Sequence, residues 1–350
     1  MTEDMDFLVG LDIGDHAVKL VQLRPDNSGF SLAHLGLSCL KEGAMRAGEI
    51  IDEVALIGTI QELFRQEEVG KKDVAVSLSG SNVAIRNVWV PEVNAEEMEA
   101  LIVWEGEQYL PFPPEEANLD YLVQWATEEG GQRWLNVLLA GARKSYIEQL
   151  RGVLEQADLN PVIMDYIPLA LENCYEVSGA REEGESVLLL DIGSQMTYAH
   201  AVRGEFSLFT QSFNLGGMDY TRAIQEAFSL GYQQAEEAKL GNNPDYPLGA
   251  LQGYIDSITK RLLANLRRCL SFYNLEWPDF PIRAIVLNGG GSLLVGLEAD
   301  LERELKIPVE VANPFSHVGF SDREFDPDFV TSMAPVLTVA MGLAIRPNDR

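Results

Sequence analysis

The chain has 350 residues, which is enough for two or three domains at roughly 100–200 residues each. It carries 26 Lys and Arg against 54 Asp and Glu, so its formal net charge is -28, and hydrophobic residues make up 46% of it. This acidity argues against a nucleic-acid-binding surface, which needs a basic patch, and against docking on anionic lipid, but the chain can form an ordinary globular core.

The first predicted elements form an antiparallel meander. An apolar run ends in Asp12-Ile-Gly14, and strands are predicted over residues 7–13, 17–23 and 30–39. Gly14 lets backbone N–H groups approach a phosphate, although the Asp-x-Gly pattern alone is equally typical of a plain hairpin. A helix over residues 53–67 and a strand over residues 71–79 follow.

The central segment, residues 87–161, differs from its surroundings and predicts a small α+β insertion. Its first helix begins after the capping residue Asn94 and ends at the prolines of residues 110–114. Two strands, a helix and a strand follow over residues 120–125, 133–140, 144–156 and 160–164.

The second half repeats the pattern of the first. After a helix over residues 167–177, a strand from Val187 ends in Asp191-Ile-Gly193, and another runs into Asn288-Gly-Gly-Gly-Ser292. Further helices are predicted from residue 218 and over residues 233–240, 251–273, 293–305 and 333–345. Three strand-to-glycine junctions predict a nucleotide held between two related lobes.

Neither cysteine nor histidine spacing indicates a metal site. Cys39, Cys174 and Cys269 are scattered along the chain, and we expect them to be buried small residues in a reducing compartment. The acidic N-terminus differs from a signal peptide, and no apolar run approaches the length of a transmembrane helix. These features predict a cytoplasmic location.

Together the motifs resemble the actin, Hsp70 and sugar-kinase ATPase superfamily, and within it the type IV pilus assembly protein PilM family, a relative of FtsA. The resemblance covers nearly the whole chain. It rests on Asp12–Lys19, Glu107–Phe112, Asn118–Tyr121, Asp191–Thr197, Asn214–Gly217, Ala235–Lys239, Gly289–Ser292 and Ala340–Ala344. It implies an α/β fold, namely an actin-like, ribonuclease H-like two-lobed ATPase fold with an FtsA-type (1C-like) α+β insertion.

The resemblance also implies domain bounds. The first lobe (1A) would comprise residues 1–86, 162–185 and 331–350, and the insertion (1C) residues 87–161. The core of the second lobe (2A) would comprise residues 186–218 and 283–330, and its own insertion (2B) residues 219–282.

By resemblance, the cofactors are ATP and Mg²⁺. Asp12 and Asp191 would face the metal through water, and Asp191 is also the candidate catalytic residue. The two glycine turns and Lys19 would hold the phosphates. The assigned cofactor-binding residues are Asp12, Gly14, Asp15, His16, Lys19, Gly193, Ser194, Thr197, Gly216, Gly217, Glu236, Lys239, Gly289, Gly290, Gly291 and Ser292. The alternative for Glu236 and Lys239 is a solvated helical face, and for Gly289–Gly291 a helix-entry loop.

Two residues depart from the family pattern. Asp15 stands where Ser or Thr is usual, and a carboxylate near a triphosphate opposes binding. It must therefore point away, meet Mg²⁺ or weaken affinity, and we expect its side chain to point to solvent. Ile167 stands where hydrolysing relatives have Glu or Gln, and an alkyl group cannot orient water. Hydrolysis is therefore expected to be slow or absent unless Asp165 or a partner substitutes.

The resemblance implies an adaptor of the pilus machine, peripheral at the inner membrane through protein partners. Its partner would be the N-terminal cytoplasmic tail of PilN, in a groove between the first subdomain and the insertion. Tyr109, Pro111 and Phe112 are candidates to line this groove, and the favoured alternative for each is buried packing. Neither nucleic acid nor direct membrane insertion is expected, and a homo-oligomer is left open. The alternatives are a sugar or metabolite kinase on the same fold and an FtsA-like division protein.

Overall fold

The structure is a computed structural model that describes residues 7–26, 29–178 and 184–346. The parts of the predicted first lobe at residues 1–6, 27–28, 179–183 and 347–350 lie outside the described residues.

Two five-stranded sheets of the same topology form the centre of the molecule. The first contains β1 (Val9–Ile13), β2 (Ala17–Asp26), β3 (Gly29–Cys39), β6 (Asp73–Leu78) and β10 (Asn160–Tyr166) in the order β10-β6-β1-β2-β3. The second contains β11 (Ser186–Ile192), β12 (Thr197–Arg203), β13 (Phe206–Phe213), β14 (Ile282–Asn288) and β15 (Val309–Val311) in the order β13-β12-β11-β14-β15. In each sheet an antiparallel meander is extended by two parallel strands, which confirms the predicted actin-like fold class.

The helices pack on these sheets through apolar stripes. In α1 (Glu53–Gln66), for example, Asp52 caps the first turn by accepting a hydrogen bond from the Ala55 N–H, and Leu56, Ile60 and Leu63 are buried. The other helices of the first sheet are α3 (Lys144–Gln156), α4 (Ile167–Val177), α9 (Pro327–Met333) and α10 (Thr338–Ala344). Those of the second are α5 (Gly217–Phe228), α6 (Tyr232–Lys239), α7 (Leu248–Glu276) and α8 (Leu297–Leu305).

The closing helix of the chain differs from its prediction. A continuous helix was predicted over residues 333–345, but a 3₁₀ turn at Ala334–Val336 separates α9 from α10. Pro335 explains the break, because a proline has no N–H to continue a helix. α10 then packs very closely on β1 and α4, since a Cβ on Gly10 would lie 2.0 Å from the Ala340 oxygen and one on Gly342 would lie 1.8 Å from the Ala170 oxygen.

Among the described residues, no single helix is long and apolar enough to cross a membrane. The pair Pro327–Val336 and Thr338–Ala344, bent by 91°, passes that test only when both parts are taken together.

The insertion is a three-stranded sheet covered on one face by a helix. Its elements are β7 (Val83–Pro91), α2 (Ala95–Tyr109), β8 (Ala117–Glu129) and β9 (Gln132–Arg143), with the strand order β7-β9-β8. The sheet therefore begins before the predicted bound of residue 87. The predicted bound of residue 161 also differs, because Leu150 and Val153 of α3 belong to the core of the first sheet.

Residues 315–330, predicted in the second lobe, instead cover the first sheet. Phe315 and Val330 share a buried cluster with Val21 of β2 and Leu32 of β3, and the Leu32 N–H donates to the Gly319 oxygen at 2.8 Å. The apolar outer face of the β2–β3 hairpin explains why this segment crosses over. A further short hairpin, β4 (Met45–Arg46) and β5 (Glu49–Ile50), lies beside the first sheet.

Candidate functional site

A cavity of about 300 Å³ lies between the two sheets. It is bordered by the β1–β2 turn, the β11–β12 turn, α5, α6 and the glycine turn after β14. The predicted site residues that line it are Asp12, Gly14, Asp15, His16, Lys19, Asp191, Gly193, Ser194, Gly217, Glu236, Lys239, Gly289, Gly290 and Gly291. Residues from five distant parts of the sequence thus face one cavity.

The first hairpin, β1–β2, presents an ion pair to the cavity. Its turn is closed by the Gly14 N–H, which donates to the Ala17 oxygen at 3.1 Å. Asp12 and Lys19 are opposite each other in the ladder, and Lys19 Nζ lies 2.7 Å from Asp12 Oδ2. Ser77 Oγ donates to the other carboxylate oxygen at 2.9 Å. Burial alone would lower the pKa of Lys19, but Asp12, Asp191 and Asp15 raise it above its usual value.

The second hairpin, β11–β12, has the same turn without the cation. The Gly193 N–H donates to the Met196 oxygen at 2.9 Å, and Tyr198 is opposite Asp191 in the ladder. No hydrogen bond from a described residue reaches the Asp191 carboxylate. Burial, followed by repulsion from Asp12, raises the pKa of Asp191 to about 7 despite the attraction of Lys19.

The charges around the cavity favour a cation. Four carboxylates line it, from Asp12, Asp15, Asp191 and Glu236, against the two ammonium groups of Lys19 and Lys239. No cluster of three or more His, Cys, Asp or Glu in the described part of the chain can hold a metal unaided. This donor set fits Mg²⁺, which keeps several waters and is bound by one or two carboxylates together with substrate phosphates.

A glycine turn closes over Asp191. Gly289 has φ +79°, and a Cβ there would lie 2.3 Å from Asp191 Oδ1. A Cβ on Gly291 would meet the Ile192 side chain at 2.2 Å, whereas Gly290 has no neighbour within 4 Å. Only glycine therefore fits at two of the three positions, and the third is open to the cavity.

Glu236 and Lys239 are held in a local network. Lys239, which is 8% exposed, lies 2.6 Å from Glu236 and donates to Thr221 Oγ1 at 3.1 Å, while that hydroxyl donates to Glu236. Burial lowers the pKa of Lys239, and Glu236 opposes this shift. The burial of Lys239 contradicts the alternative of a solvated helical face.

Three predicted ligands do not line the cavity. Thr197 Oγ1 donates to the Leu215 oxygen at 2.7 Å, and Ser292 Oγ donates to the Gly289 oxygen at 2.6 Å, so both hydroxyls stabilise the protein's own turns. Gly216 lies behind the wall, where a Cβ would meet the Gly193 and Ser194 oxygens at 2.5 Å. Their role is to shape the turns that do face the cavity.

The Asp15 side chain does not point to solvent as predicted. Its Oδ1 accepts a hydrogen bond from the Gly48 N–H at 2.9 Å, which ties the first turn to the loop between β4 and β5. Burial raises the pKa of Asp15, and the bond from Gly48 partly offsets this effect.

Ile167 lines the cavity at the start of α4, as the sequence predicted. Asp165, the possible substitute, does not line it. Its Oδ1 accepts from the Tyr166 N–H at 2.9 Å, and its Oδ2 lies 3.6 Å from Arg346 Nη1. The Asp165 carboxylate therefore contacts the Tyr166 N–H and Arg346 instead of the cavity.

The sequence interpretation missed several lining residues, among them Tyr198, Tyr232 and Gly48. Tyr198 takes the place in the second hairpin that Lys19 takes in the first, so aligning the two Asp-Ile-Gly motifs would have found it. Its hydroxyl accepts a hydrogen bond from the Gly80 N–H at 3.0 Å and so joins the two lobes. Tyr232 contacts the His16 ring nitrogen at 3.0 Å, and Cys39, predicted to be buried, is exposed beside that ring.

A second cleft, of about 440 Å³, lies between β7 of the insertion and β13 of the second sheet. Both are edge strands. Of the three predicted groove residues, Pro111 lines this cleft, and Tyr109 is exposed outside its lining. Phe112 is only 4% exposed and stacks under Arg143, which agrees with the alternative of buried packing and not with a place in the lining of this cleft.

Comparison with known proteins gives the same architecture. A family model described as type IV pilus assembly protein PilM matches residues 10–348. A solved PilM–PilN type IV pilus biogenesis complex contains a chain with 31% sequence identity and a TM-score of 0.88, and the match covers 98% of both chains.

More distant structures share the fold alone. Ethanolamine utilization protein EutJ from Carboxydothermus hydrogenoformans is 14% identical with a TM-score of 0.59, over 99% of this chain and 91% of that one. An MreB protein of Spiroplasma citri bound to ADP is 12% identical with a TM-score of 0.53, over 96% and 94% of the two chains. The match to the PilM model extends over nearly the whole sequence, and the chain belongs to the type IV pilus assembly protein PilM family.

Proposed function

We propose that the chain is an ATP-binding, actin-like adaptor of the type IV pilus inner-membrane assembly complex. The observation that carries this proposal is the pair of Asp-Ile-Gly turns that face one cavity from opposite lobes. The backbone N–H groups that follow Gly14 and Gly193, together with Lys19, suit phosphates, and Gly290 leaves the opposite wall open to a nucleoside. The MreB structures of the same fold are described as bound to ADP and to AMPPNP, which supports a nucleotide in this place.

Mg²⁺ is the second part of the proposed ligand. Bound beside the phosphates, it would neutralise their charge and that of Asp12 and Asp191. Lys19 holds the Asp12 carboxylate in place through an ion pair of 2.7 Å, whereas Asp191 is free of hydrogen bonds from described residues and can turn toward a cation or its water.

We also propose that hydrolysis is slow or absent. The alkyl side chain of Ile167 lines the cavity where a water-orienting group is needed, and Asp165 is turned away from it. Asp191, with a pKa of about 7, is the only candidate catalytic carboxylate that we retain, and its first role is toward the cation.

The proposed partner is the N-terminal cytoplasmic tail of PilN, because a similar chain was solved in a PilM–PilN complex. The cleft between β7 and β13 suits an extended segment, since both are edge strands and apolar residues such as Phe209 and Phe272 line it. This place differs from the groove between the first subdomain and the insertion that the sequence predicted. Capture of this tail would hold the chain at the cytoplasmic face of the inner membrane.

Retained nucleotide tests the first part of the proposal. The purified chain is mixed with Mg²⁺ and ATP, desalted, and the bound nucleotide identified by chromatography. We expect intact ATP with the wild type and with Asp256→Asn, which changes a half-buried carboxylate on α7 outside the cavity, but not with Asp12→Asn. Bound ADP would show that the proposal of slow hydrolysis is wrong, and an empty protein would refute ATP binding.

Fluorescence anisotropy with a labelled peptide of the PilN tail tests the cleft. Phe272, which is 52% exposed, lines the cleft, whereas Phe329, 44% exposed, lies on α9 outside it. Phe272→Ala should weaken binding about tenfold through lost apolar contact, and Phe329→Ala should leave it unchanged. Equal affinities of both variants and the wild type would place the peptide elsewhere.

A further inference from the structure

The insertion forms hydrogen bonds with the backbone N–H and C=O of Ser207 in β13, as a neighbouring strand would. The Ser207 N–H donates to Gln124 Oε1 at 2.7 Å, and Gln124 Nε2 donates to the Ser207 oxygen at 2.9 Å. Asn87 Nδ2 donates to the same oxygen at 2.6 Å. Two side-chain amides of the insertion thus satisfy both backbone groups of one residue in the second sheet.

The hydroxyl of the same residue reaches the first lobe. Ser207 Oγ donates to Glu172 Oε2 of α4 at 2.5 Å, and His200 Nε2 of β12 lies 3.0 Å from that oxygen. The other ring nitrogen of His200, which is fully buried, lies 2.8 Å from Thr210 Oγ1. These six residues, which we call the Ser207 junction, join three parts of the molecule: Asn87, Gln124, Glu172, His200, Ser207 and Thr210.

The Ser207 junction lies between the two cavities. Helix α4 contributes Ile167 to the first cavity and Glu172 to the junction, and β12 contributes Tyr198 to the first cavity and His200 to the junction. On the other side, Asn87 and Thr210 line the cleft between β7 and β13. Helix α4 and strand β12 therefore connect the lining of the first cavity to the wall of the second through the junction.

One donor next to the junction has no partner. Asn136 of β9 is fully buried, and its Oδ1 accepts from Gln124 Nε2 at 2.9 Å, but its Nδ2 bonds to no described residue. An unsatisfied buried donor costs free energy, so this amide favours any arrangement of the junction, or any water, that gives it a partner. Packed interfaces switch between discrete arrangements rather than deform gradually, and the junction lies in such an interface.

We propose that the Ser207 junction couples the two cavities, so that ATP in the first and a peptide in the second raise each other's affinity. This proposal rests on the proposed function for its two ligands. It adds that the insertion is positioned by the state of the nucleotide cavity, and that Ser207 and Gln124 are the positioning residues.

The coupling predicts a reciprocal change in affinity. With a peptide of the PilN tail as probe, Mg²⁺ and ATP should tighten peptide binding to the wild type about fivefold, and saturating peptide should tighten ATP binding by the same factor. Ser207→Ala removes the bond to Glu172 and should reduce both factors below about twofold. Ser271→Ala, which removes a serine hydroxyl on the exposed part of α7, should keep the wild-type coupling.

Hydrogen exchange gives a readout that does not need the peptide. ATP should slow amide exchange in β7 and β9 of the wild-type insertion, and this effect should be lost in Ser207→Ala. Gln124→Met, which removes both amide contacts from the other side, should give the same loss and serves if Ser207→Ala fails to fold.

The outcomes separate the coupling from the function on which it rests. If ATP and peptide both bind to the wild type but with unchanged affinity for each other, the coupling is refuted and the proposed function stands. Coupling that persists in both Ser207→Ala and Gln124→Met would also refute it. Failure of ATP to bind to the wild type would overturn both proposals.

Discussion

The hairpins β1–β2 and β11–β12 have the same turn, closed by the same backbone hydrogen bond, but they differ in one ladder position. Opposite Asp12 stands Lys19, and opposite Asp191 stands Tyr198. The first carboxylate is paired with a cation, whereas the second has a pKa of about 7. The same hairpin turn therefore presents a carboxylate paired with a lysine on one side of the cavity and, on the other side, a carboxyl group that can gain or lose a proton near neutral pH.

Removing the cation from the first hairpin should have the largest effect. Lys19→Met leaves Asp12 buried without its partner, and we expect the free energy of unfolding to fall by about 3–5 kcal/mol. Tyr198→Phe, the matching change in the second hairpin, loses the bond from the Gly80 N–H and the weak bond to Met196 Sδ, and should cost about 1–2 kcal/mol. Urea denaturation measures both. The double variant Asp12→Asn with Lys19→Met should recover part of the loss, and no recovery would mean that Lys19 contributes through packing.

The second hairpin should dominate the dependence of stability on pH. Asp191 has a raised pKa in the folded state, so its stabilising contribution is present at low pH and is lost as the pH rises from about 4 to about 7. Between pH 5 and pH 8 the wild type should lose roughly 2–3 kcal/mol of unfolding free energy from this group. Asp191→Asn should abolish that part of the loss, whereas Asp256→Asn should retain it. Parallel pH profiles for Asp191→Asn and the wild type would contradict the raised pKa.

A substitution in the glycine turn, which lies over the second hairpin, should lower the free energy of unfolding by a smaller amount. Gly289→Ala places a methyl group against Asp191 Oδ1 at a backbone conformation with φ +79°, and should cost about 1–3 kcal/mol in thermal or urea unfolding. Gly290→Ala has no neighbour within 4 Å and serves as the control, with an expected change near zero. Similar losses in both variants would show that the strain does not come from the contact with Asp191.

The smallest expected effect is that of Asp15→Asn on ATP affinity, because this substitution makes the first turn uncharged like the second. Asp15 stands in the first turn where Ser194 stands in the second. Asp15→Asn keeps the acceptor for the Gly48 N–H but removes a negative charge beside the cavity, so ATP should bind about fivefold more tightly. Isothermal titration calorimetry with ATP measures this change. Weaker binding would indicate that the Asp15 charge itself meets the metal.

The hairpins and the long helices could be predicted from the sequence because each has a complete local signal. Alternating or continuous apolar runs gave the strands, and α3 and α4 have the predicted bounds, since Pro168 fixes the start of α4 and helical spacing fixes the extent of α3. The placement of α3 was less predictable. Its stripe of Leu150 and Val153 can pack on any apolar face, and only the folded chain shows that it packs on the first sheet.

Site residues could be predicted from the sequence at positions where the backbone conformation or a close contact allows only one residue type. Glycines that touch Asp191 or Ile192 are such residues, because any side chain there would collide. Hydroxyl groups are different, since Thr197 and Ser292 can turn either to a ligand or to a nearby carbonyl oxygen, and the structure shows the second choice. The direction of a small polar side chain depends on which backbone acceptor the turn leaves open, and this is not written in the local sequence.

Asp191 faces the uncharged Tyr198 instead of a cation, and its raised pKa gives ligand binding in the cavity a dependence on pH and on the buffer. Near neutral pH the Asp191 carboxyl is divided between its acid and its carboxylate, and a divalent cation that arrives beside it displaces the proton. Nucleotide uptake with Mg²⁺ is then also an exchange of a proton for a metal ion. The heat of binding would include the ionisation heat of the buffer, and a lower pH would loosen the complex by mass action on this single group.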